Sequence, residues 1–146
     1  YVLMSKDKGE SFIATKLDTW EIGQCVMSSA TFHTNADGTL ASWETEHQVK
    51  FAQVDGLLPH SRPRVEAPKL SRRTRKHPVL CTNSIGQVIL AWTEGTGWQK
   101  GGSVAWQVFD KKGNPVADGV GQADGVPVWG LVAVFSGPND EFTIVY

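Results

Sequence analysis

Gly86-Gln87-Val88-Ile89-Leu90-Ala91-Trp92-Thr93-Glu94 is a run of aliphatic residues opened by a turn glycine and closed by a tryptophan and an acid. A similar run lies upstream, Gly38-Thr39-Leu40-Ala41-Ser42-Trp43-Glu44, and a third lies downstream, Asp140-Glu141-Phe142-Thr143-Ile144-Val145-Tyr146. Trp43, Trp92 and Tyr146 then share one position, at a spacing of about fifty residues. A second, offset set repeats with the same period: Tyr1-Val2-Leu3-Met4-Ser5-Lys6-Asp7, Gln48-Val49-Lys50-Phe51-Ala52-Gln53-Val54-Asp55 and Ser103-Val104-Ala105-Trp106-Gln107-Val108-Phe109-Asp110. Two registers with one period define an internal repeat. A unit of that length with room for about four strands is the signature of a propeller blade.

Outward from these segments, short β-branched, aromatic or aliphatic runs bounded by Gly, Asn, Asp and Pro predict strands. They fall at 1–6, 11–17, 26–34, 39–45, 48–54, 77–83, 87–93, 103–109, 115–118, 128–136 and 141–146. No segment carries a 3.6-residue period, so the expected class is all-β. Residues 1–18 would form the second half of one blade, 25–70 and 77–120 two whole blades, and 127–146 the first half of the next. The expectation is a partial β-propeller of about two full four-stranded blades plus two half blades. Pro59, Pro63 and Pro68 leave the fourth strand of 25–70 poorly marked, because proline suits an edge or a loop. A closed ring needs about four to eight blades, and both chain ends read as strands, so the rest of a propeller chain is expected beyond them.

The chain has 146 residues, 40% hydrophobic and 20% charged, with Lys+Arg 14 against Asp+Glu 15, a balance that excludes disorder. No run approaches the roughly 18 apolar residues of a membrane span. Tyr1-Val2-Leu3-Met4 has no charged leader region, so no signal peptide is expected in this segment. No metal-ligand spacing, phosphate-binding glycine loop, nucleophile elbow or Cys-x-x-Cys is present, and neither a metal nor a cofactor is expected. Cys25 and Cys81 read equally as a bridge between adjacent blades or as free buried thiols.

Ser5-Lys6-Asp7-Lys8-Gly9-Glu10-Ser11-Phe12 matches the pattern S-x-D-x-G-x-x-[FW]. Asp7 is suited to accept backbone N–H groups of its own turn, Gly9 to supply a positive φ, and Phe12 to pack between sheets. This turn resembles the Asp-box, or bacterial neuraminidase repeat (BNR), of sialidase-like propellers. Segments such as Ala41-Ser42-Trp43-Glu44-Thr45 and Ala91-Trp92-Thr93-Glu94-Gly95 are similar to strands of that superfamily. The resemblance implies a six-bladed propeller, a glycan ligand and an extracellular or periplasmic location. It does not imply hydrolysis, since the Asp-box is a folding device, and the catalytic residues are left unknown. On this reading the segment recognises a carbohydrate, and an exo-glycosidase parent would hold its catalytic residues elsewhere.

Blade topology sorts the connections onto two rims. The turns near 35–38, 55–56, 84–86, 110–113 and 138–140 are short, whereas 17–25, 44–48, 69–77, 94–102 and 125–129 carry tryptophan, arginine and carboxylates. A ligand is expected on the second rim. Its candidates are Arg72, Arg73, Arg75, His77, Glu94, Trp98, Lys100 and Glu44. The run Lys69-Leu70-Ser71-Arg72-Arg73-Thr74-Arg75-Lys76-His77 holds five cations and no acid. It reads as a solvated loop or, through the resemblance, as an arginine grip on the carboxylate of an acidic sugar. Nucleic acid is not expected, because a single basic loop lacks interleaved aromatics. His77 reads as a satisfied strand-start residue ahead of a base. Glu44 and Glu94 read as equivalent positions of two blades. Trp43, Trp92 and Trp106 belong to the core between blades, and Trp20 and Trp129 lean the same way. Trp98, among glycines, reads as a sugar-stacking or partner-binding residue or as packing on a neighbouring blade. Sialidase chemistry needs a tyrosine nucleophile, and only Tyr1 and Tyr146 exist. The partner expected is therefore a carbohydrate or glycoconjugate. The alternative is a non-enzymatic propeller module for protein interaction or scaffolding, with the basic loop as its contact.

Overall fold

The computed structural model describes residues 1–20, 30–57 and 63–146. In chain order these form β1 (Val2–Met4), β2 (Ile13–Thr15), β3 (Ala30–Asn35), β4 (Gly38–Thr45), β5 (Gln48–Gln53), β6 (Arg75–Thr82), β7 (Val88–Glu94), β8 (Gly102–Phe109), β9 (Pro115–Val126), β10 (Ala133–Ser136) and β11 (Phe142–Val145). They pair antiparallel as β1-β2, β3-β4-β5, β6-β7-β8-β9 and β10-β11, and none of these sheets closes on itself. The all-β class expected from the sequence is what forms. Among the described residues there is no helix, and hence none long and apolar enough to cross a membrane.

Every residue of β7 is buried, which explains its unalternating apolar run: both faces of its sheet are covered. On one face Leu90, Trp92, Ala105 and Phe109 pack with Val49 and Phe51 of β5. On the other Ala91 and Val104 pack with Val126 and Val132, and Val134 and Ile144 of β10 and β11 close over them. Phe51 and Phe109 meet edge to face with centroids 4.9 Å apart, a geometry worth about 0.5–1.5 kcal/mol beyond the area buried. Leu90 is fully buried in this layer, and truncating such a leucine to alanine costs about 2–5 kcal/mol.

Boundaries moved for identifiable reasons. β9 runs to Val126, well beyond the predicted 115–118, although Gly119 and Gly121 weaken its propensity. Those glycines are required by the partner strand: a Cβ at Gly121 would collide with the Trp106 indole and one at Gly119 with Val108. Residues 127–130 form a turn, with Gly130 N–H donating to Pro127 O, and 131–132 are irregular, so β10 begins only at Ala133. The weakly marked strand of 25–70 shrinks to one bridge, in which Phe51 and Glu66 exchange N–H···O bonds of 2.9 and 2.8 Å. Residues 26–29 of another predicted strand lie outside the described residues. The segment 44–48, expected as a longer loop, is a two-residue hairpin turn with Glu46 at φ 52° and His47 at φ 60°, the left-handed pair that matches strand twist.

The Ser5–Ser11 turn is held by its own side chains. Asp7 Oδ1 accepts Ser11 N–H at 2.9 Å, Ser5 Oγ accepts Gly9 N–H at 2.7 Å, and Gly9 takes φ 96°. Hydrogen bonds from Ser11 and Ser5 hold the Asp7 carboxyl down at about 2. Asp110 repeats this chemistry in the β8–β9 turn, accepting Asn114 N–H and Lys112 N–H at 2.8 Å, and the same kind of bonding lowers its carboxyl. Phe12, expected between sheets, is 59% exposed instead.

Candidate functional site

β6 begins at Arg75, two residues before the predicted 77, and Pro78 interrupts its ladder from within. Lacking an N–H, it cannot join the ladder, and His77 and Pro78 together oppose the single residue Trp92 in a bulge between Lys76 and Val79. His77 takes φ 52° there and turns its N–H away from β7, donating to Glu44 Oε2 at 3.0 Å. Its ring lies 3.2 Å from Thr93 Oγ1. Burial lowers the His77 imidazole, Glu44 opposes that effect and Lys76 adds to it. Glu44 is buried and committed to this backbone bond. This bond joins two sheets, and Glu44 also lines a cleft with Asp18, Trp20 and Trp43.

Arg75 and Glu94 are likewise spoken for. Arg75 Nε donates to Glu94 Oε1 at 2.9 Å, Nη1 donates to Lys69 O at 2.9 Å, and the guanidinium stacks 4.8 Å from the Trp92 ring centre. Trp92 Nε1 donates to the same Glu94 oxygen at 3.0 Å. Arg75, expected with Arg73 as a carboxylate grip, is therefore engaged with an internal carboxylate, the two side chains being 9% and 6% exposed. Glu44 and Glu94 are not equivalent either. Glu94 lies two residues beyond Trp92, on the indole's own face, whereas Glu44 directly follows Trp43 and faces the opposite way.

Arg72 and Arg73 behave differently. Both side chains are exposed and have no hydrogen-bond or ion-pair partner among the described residues. The strap that carries them is pinned by Gln48, whose Nε2 donates to Ser71 O at 3.0 Å and whose Oε1 accepts Ser71 N–H at 3.3 Å. Arg73 and Lys69 stand at the edge of a cleft of about 560 Å³ between this strap and one face of β7, β8 and β9, a volume in the range of small-molecule sites. Its lining holds three cations, Lys69, Arg73 and Arg75, against one carboxylate, Glu94, which Arg75 already neutralises.

The far wall holds two residues that the sequence did not single out. Gln107 is buried, and its Nε2 donates to Val108 O at 2.8 Å and Val116 O at 2.9 Å, beside a register shift in the β8–β9 ladder. Both amide hydrogens are therefore used, which fixes the orientation of the amide. Its Oε1 accepts no hydrogen bond among the described residues. Gln122 also lines the cleft and donates to Ser103 Oγ at 2.9 Å. Glutamine in a strand carries no pattern that separates a fixed acceptor from a solvated side chain, so only the cross-strand partners reveal it.

Trp98 stands apart from this cleft. It is 78% exposed and meets Trp129 edge to face, ring centres 4.9 Å apart. Trp129, expected in the core, is 55% exposed, and Trp20 is 47% exposed. Lys100 is exposed on the Trp98 turn. Cys81 is buried, and burial pushes its thiol up to about 11, which makes it a poor nucleophile. Cys25, its suggested partner, lies outside the described residues.

Set beside known proteins, the chain matches no family model, no curated protein and no solved structure.

Proposed function

We propose that this chain is a segment of a sialidase-like propeller, six-bladed when complete, that recognises an acidic carbohydrate in the cleft beneath the 68–73 strap. The observation that carries the reading is the cleft itself: Lys69 and Arg73 at one edge, Arg73 with no side-chain partner among the described residues, and an orientation-fixed amide oxygen at the far wall. A sugar acid offers the matching groups, a carboxylate for Arg73 and hydroxyl donors for Gln107 and Gln122. Supporting the propeller part are sheets of two, three, four and two strands in chain order, with the first strands β3 and β10 both lying against β6. Thr31 Oγ1 donates to Pro78 O across one of these junctions and Ser136 Oγ to Thr82 O across the other. The Ser5–Ser11 turn adds the hydrogen bonds that an Asp-box requires.

On this reading hydrolysis stays open: a parent exo-glycosidase outside the cytoplasm would take its catalytic residues from beyond this segment, and a non-enzymatic propeller would need none. Tyr1 is 81% exposed and Tyr146 is 46% exposed, and neither has a carboxylate partner among the described residues. The test is binding of D-glucuronate, D-glucose and acetate, followed by calorimetry. Glucuronate should bind at least tenfold more tightly than either single-function probe, and Arg73→Gln should remove most of that preference. Equal affinity for acetate and glucuronate would reduce the cleft to a patch of charge. Retention of full glucuronate affinity by Arg73→Gln would move the site elsewhere and favour the scaffolding alternative.

A further inference from the structure

Trp98 and Gln99 form the tip of a tight turn in the β7–β8 connection, closed by Gly97 N–H to Lys100 O and Lys100 N–H to Gly97 O, both 3.1 Å. The turn is pressed onto the segment after β9 through Gly101, where a Cβ would collide with the Val126 carbonyl. That close approach brings Trp98 beside Trp129, with ring planes at 88°. The arrangement has a backbone cost on both sides: Gln99 sits at φ 51° and Trp129 at φ 65°. Positive φ in a bulky residue is a genuine outlier, and such residues persist where surrounding structure or function holds them. Burial does not repay it here, because the two indoles are 78% and 55% exposed. The edge-to-face contact pre-organises the pair and leaves indole surface open to solvent.

The surroundings favour a particular ligand. Gln99 and Lys100, both exposed, follow Trp98 on the same short turn and supply polar groups beside it. An aromatic surface bordered by polar side chains suits a molecule with an apolar C–H face and hydroxyls at its margin. We infer that the Trp98–Trp129 pair is a stacking platform for an uncharged pyranose with a continuous C–H face, a second sugar subsite separate from the acidic cleft. The inference rests on the carbohydrate reading for its ligand class, but it shares no lining residue with the cleft.

Saturation-transfer NMR with methyl β-D-galactopyranoside reads this directly. Saturation should concentrate on H3, H4 and H5, the protons of the stacked face, and Trp98→Ala should abolish it. Trp98 is so exposed that this variant should keep its thermal midpoint. Trp129→Gly is the second variant: relief of the positive φ should raise the midpoint while saturation is lost. Arg73→Gln should leave galactoside saturation unchanged, and Trp98→Ala should leave glucuronate binding in the cleft unchanged, so failure of either site is distinguishable. Uniform saturation over all ring protons, undiminished saturation in Trp98→Ala, or equal competition by 1-butanol would overturn the platform. A lower midpoint for Trp129→Gly would do the same by making the indole a fold-stabilising group.

Discussion

Trp43 and Trp92 lie in the second strands of neighbouring sheets, and each donates its indole N–H to a carboxylate shared with a cation. Trp43 Nε1 reaches Asp18 Oδ2 at 3.0 Å, and Lys50 Nζ reaches the same oxygen at 2.9 Å. Trp92 Nε1 and Arg75 Nε meet on Glu94 Oε1 at 3.0 and 2.9 Å. The chemistry is the same, but the source of the carboxylate differs. Asp18 comes from the segment after β2, so the first triad ties two sheets together. Glu94 comes from the tryptophan's own strand and Arg75 from the adjacent one, so the second triad is internal to one sheet. Burial follows from this: the Lys50 and Asp18 side chains are 21% and 24% exposed, those of Arg75 and Glu94 only 9% and 6%. One motif can therefore act as a solvent-softened clasp or as a sealed ion pair, according to which residue supplies the acid.

The contrast yields a ranked set of outcomes. Glu94→Ala leaves the Arg75 charge buried without a counter-ion and orphans the Trp92 N–H, and should cost about 3–5 kcal/mol in urea unfolding. Asp18→Ala should cost less, about 1–2 kcal/mol, because water can reach Lys50 and partly replace the lost acceptor. Equal losses from the two variants would erase the distinction between clasp and sealed pair. The smallest effect is in acid. Burial on its own would raise the Asp18 carboxyl, but the bonds from Lys50, Trp43 and Thr19 N–H outweigh it and hold the carboxyl below the usual aspartate value of 3.8. A carboxylate lowered on folding contributes stability that is full above its unfolded pKa and is lost as pH falls through the folded one. The clasp should thus weaken below pH 3.8, and carboxyl NMR titration should show Asp7 titrating later still, near 2. An Asp18 midpoint at or above 3.8 would mean that the clasp is open in solution.

Much of the fold was legible because its signals are local. Apolar runs closed by tryptophan, and turns such as Asn35-Ala36-Asp37-Gly38, each need only their own neighbours: Asn35 Oδ1 accepts Asp37 N–H and Gly38 N–H within the turn itself. The Asp110 turn, degenerate as a motif, still forms the bonds of the Asp7 turn, because the chemistry asks for a carboxylate and a backbone N–H four residues on. The site was legible only in part. Arg73 and Trp98 were named from the longer connections, and both are exposed. Arg75 and Glu94 were grouped with them, although burial had paired them with each other. Gln107 and Gln48 were missed because their roles depend on partners on other strands or distant loops.

The sequence by itself determined the all-β class, most strand positions and the turns, since period-two burial and turn chemistry act over a few residues. Tertiary structure decided which charges remain available. Five cations in one loop are alike on paper; the fold buries Arg75 against Glu94 and Trp92 and leaves Arg73 unpaired at the edge of a cleft. It likewise made an exposed pair of Trp98 and Trp129, one left open between a binding role and packing and the other leaning towards the core, through the close approach at Gly101. The physical reason is the same in both cases. Desolvation and cross-strand pairing depend on which segments meet in space, and residues far apart in the chain acquire those partners only when the sheets pack.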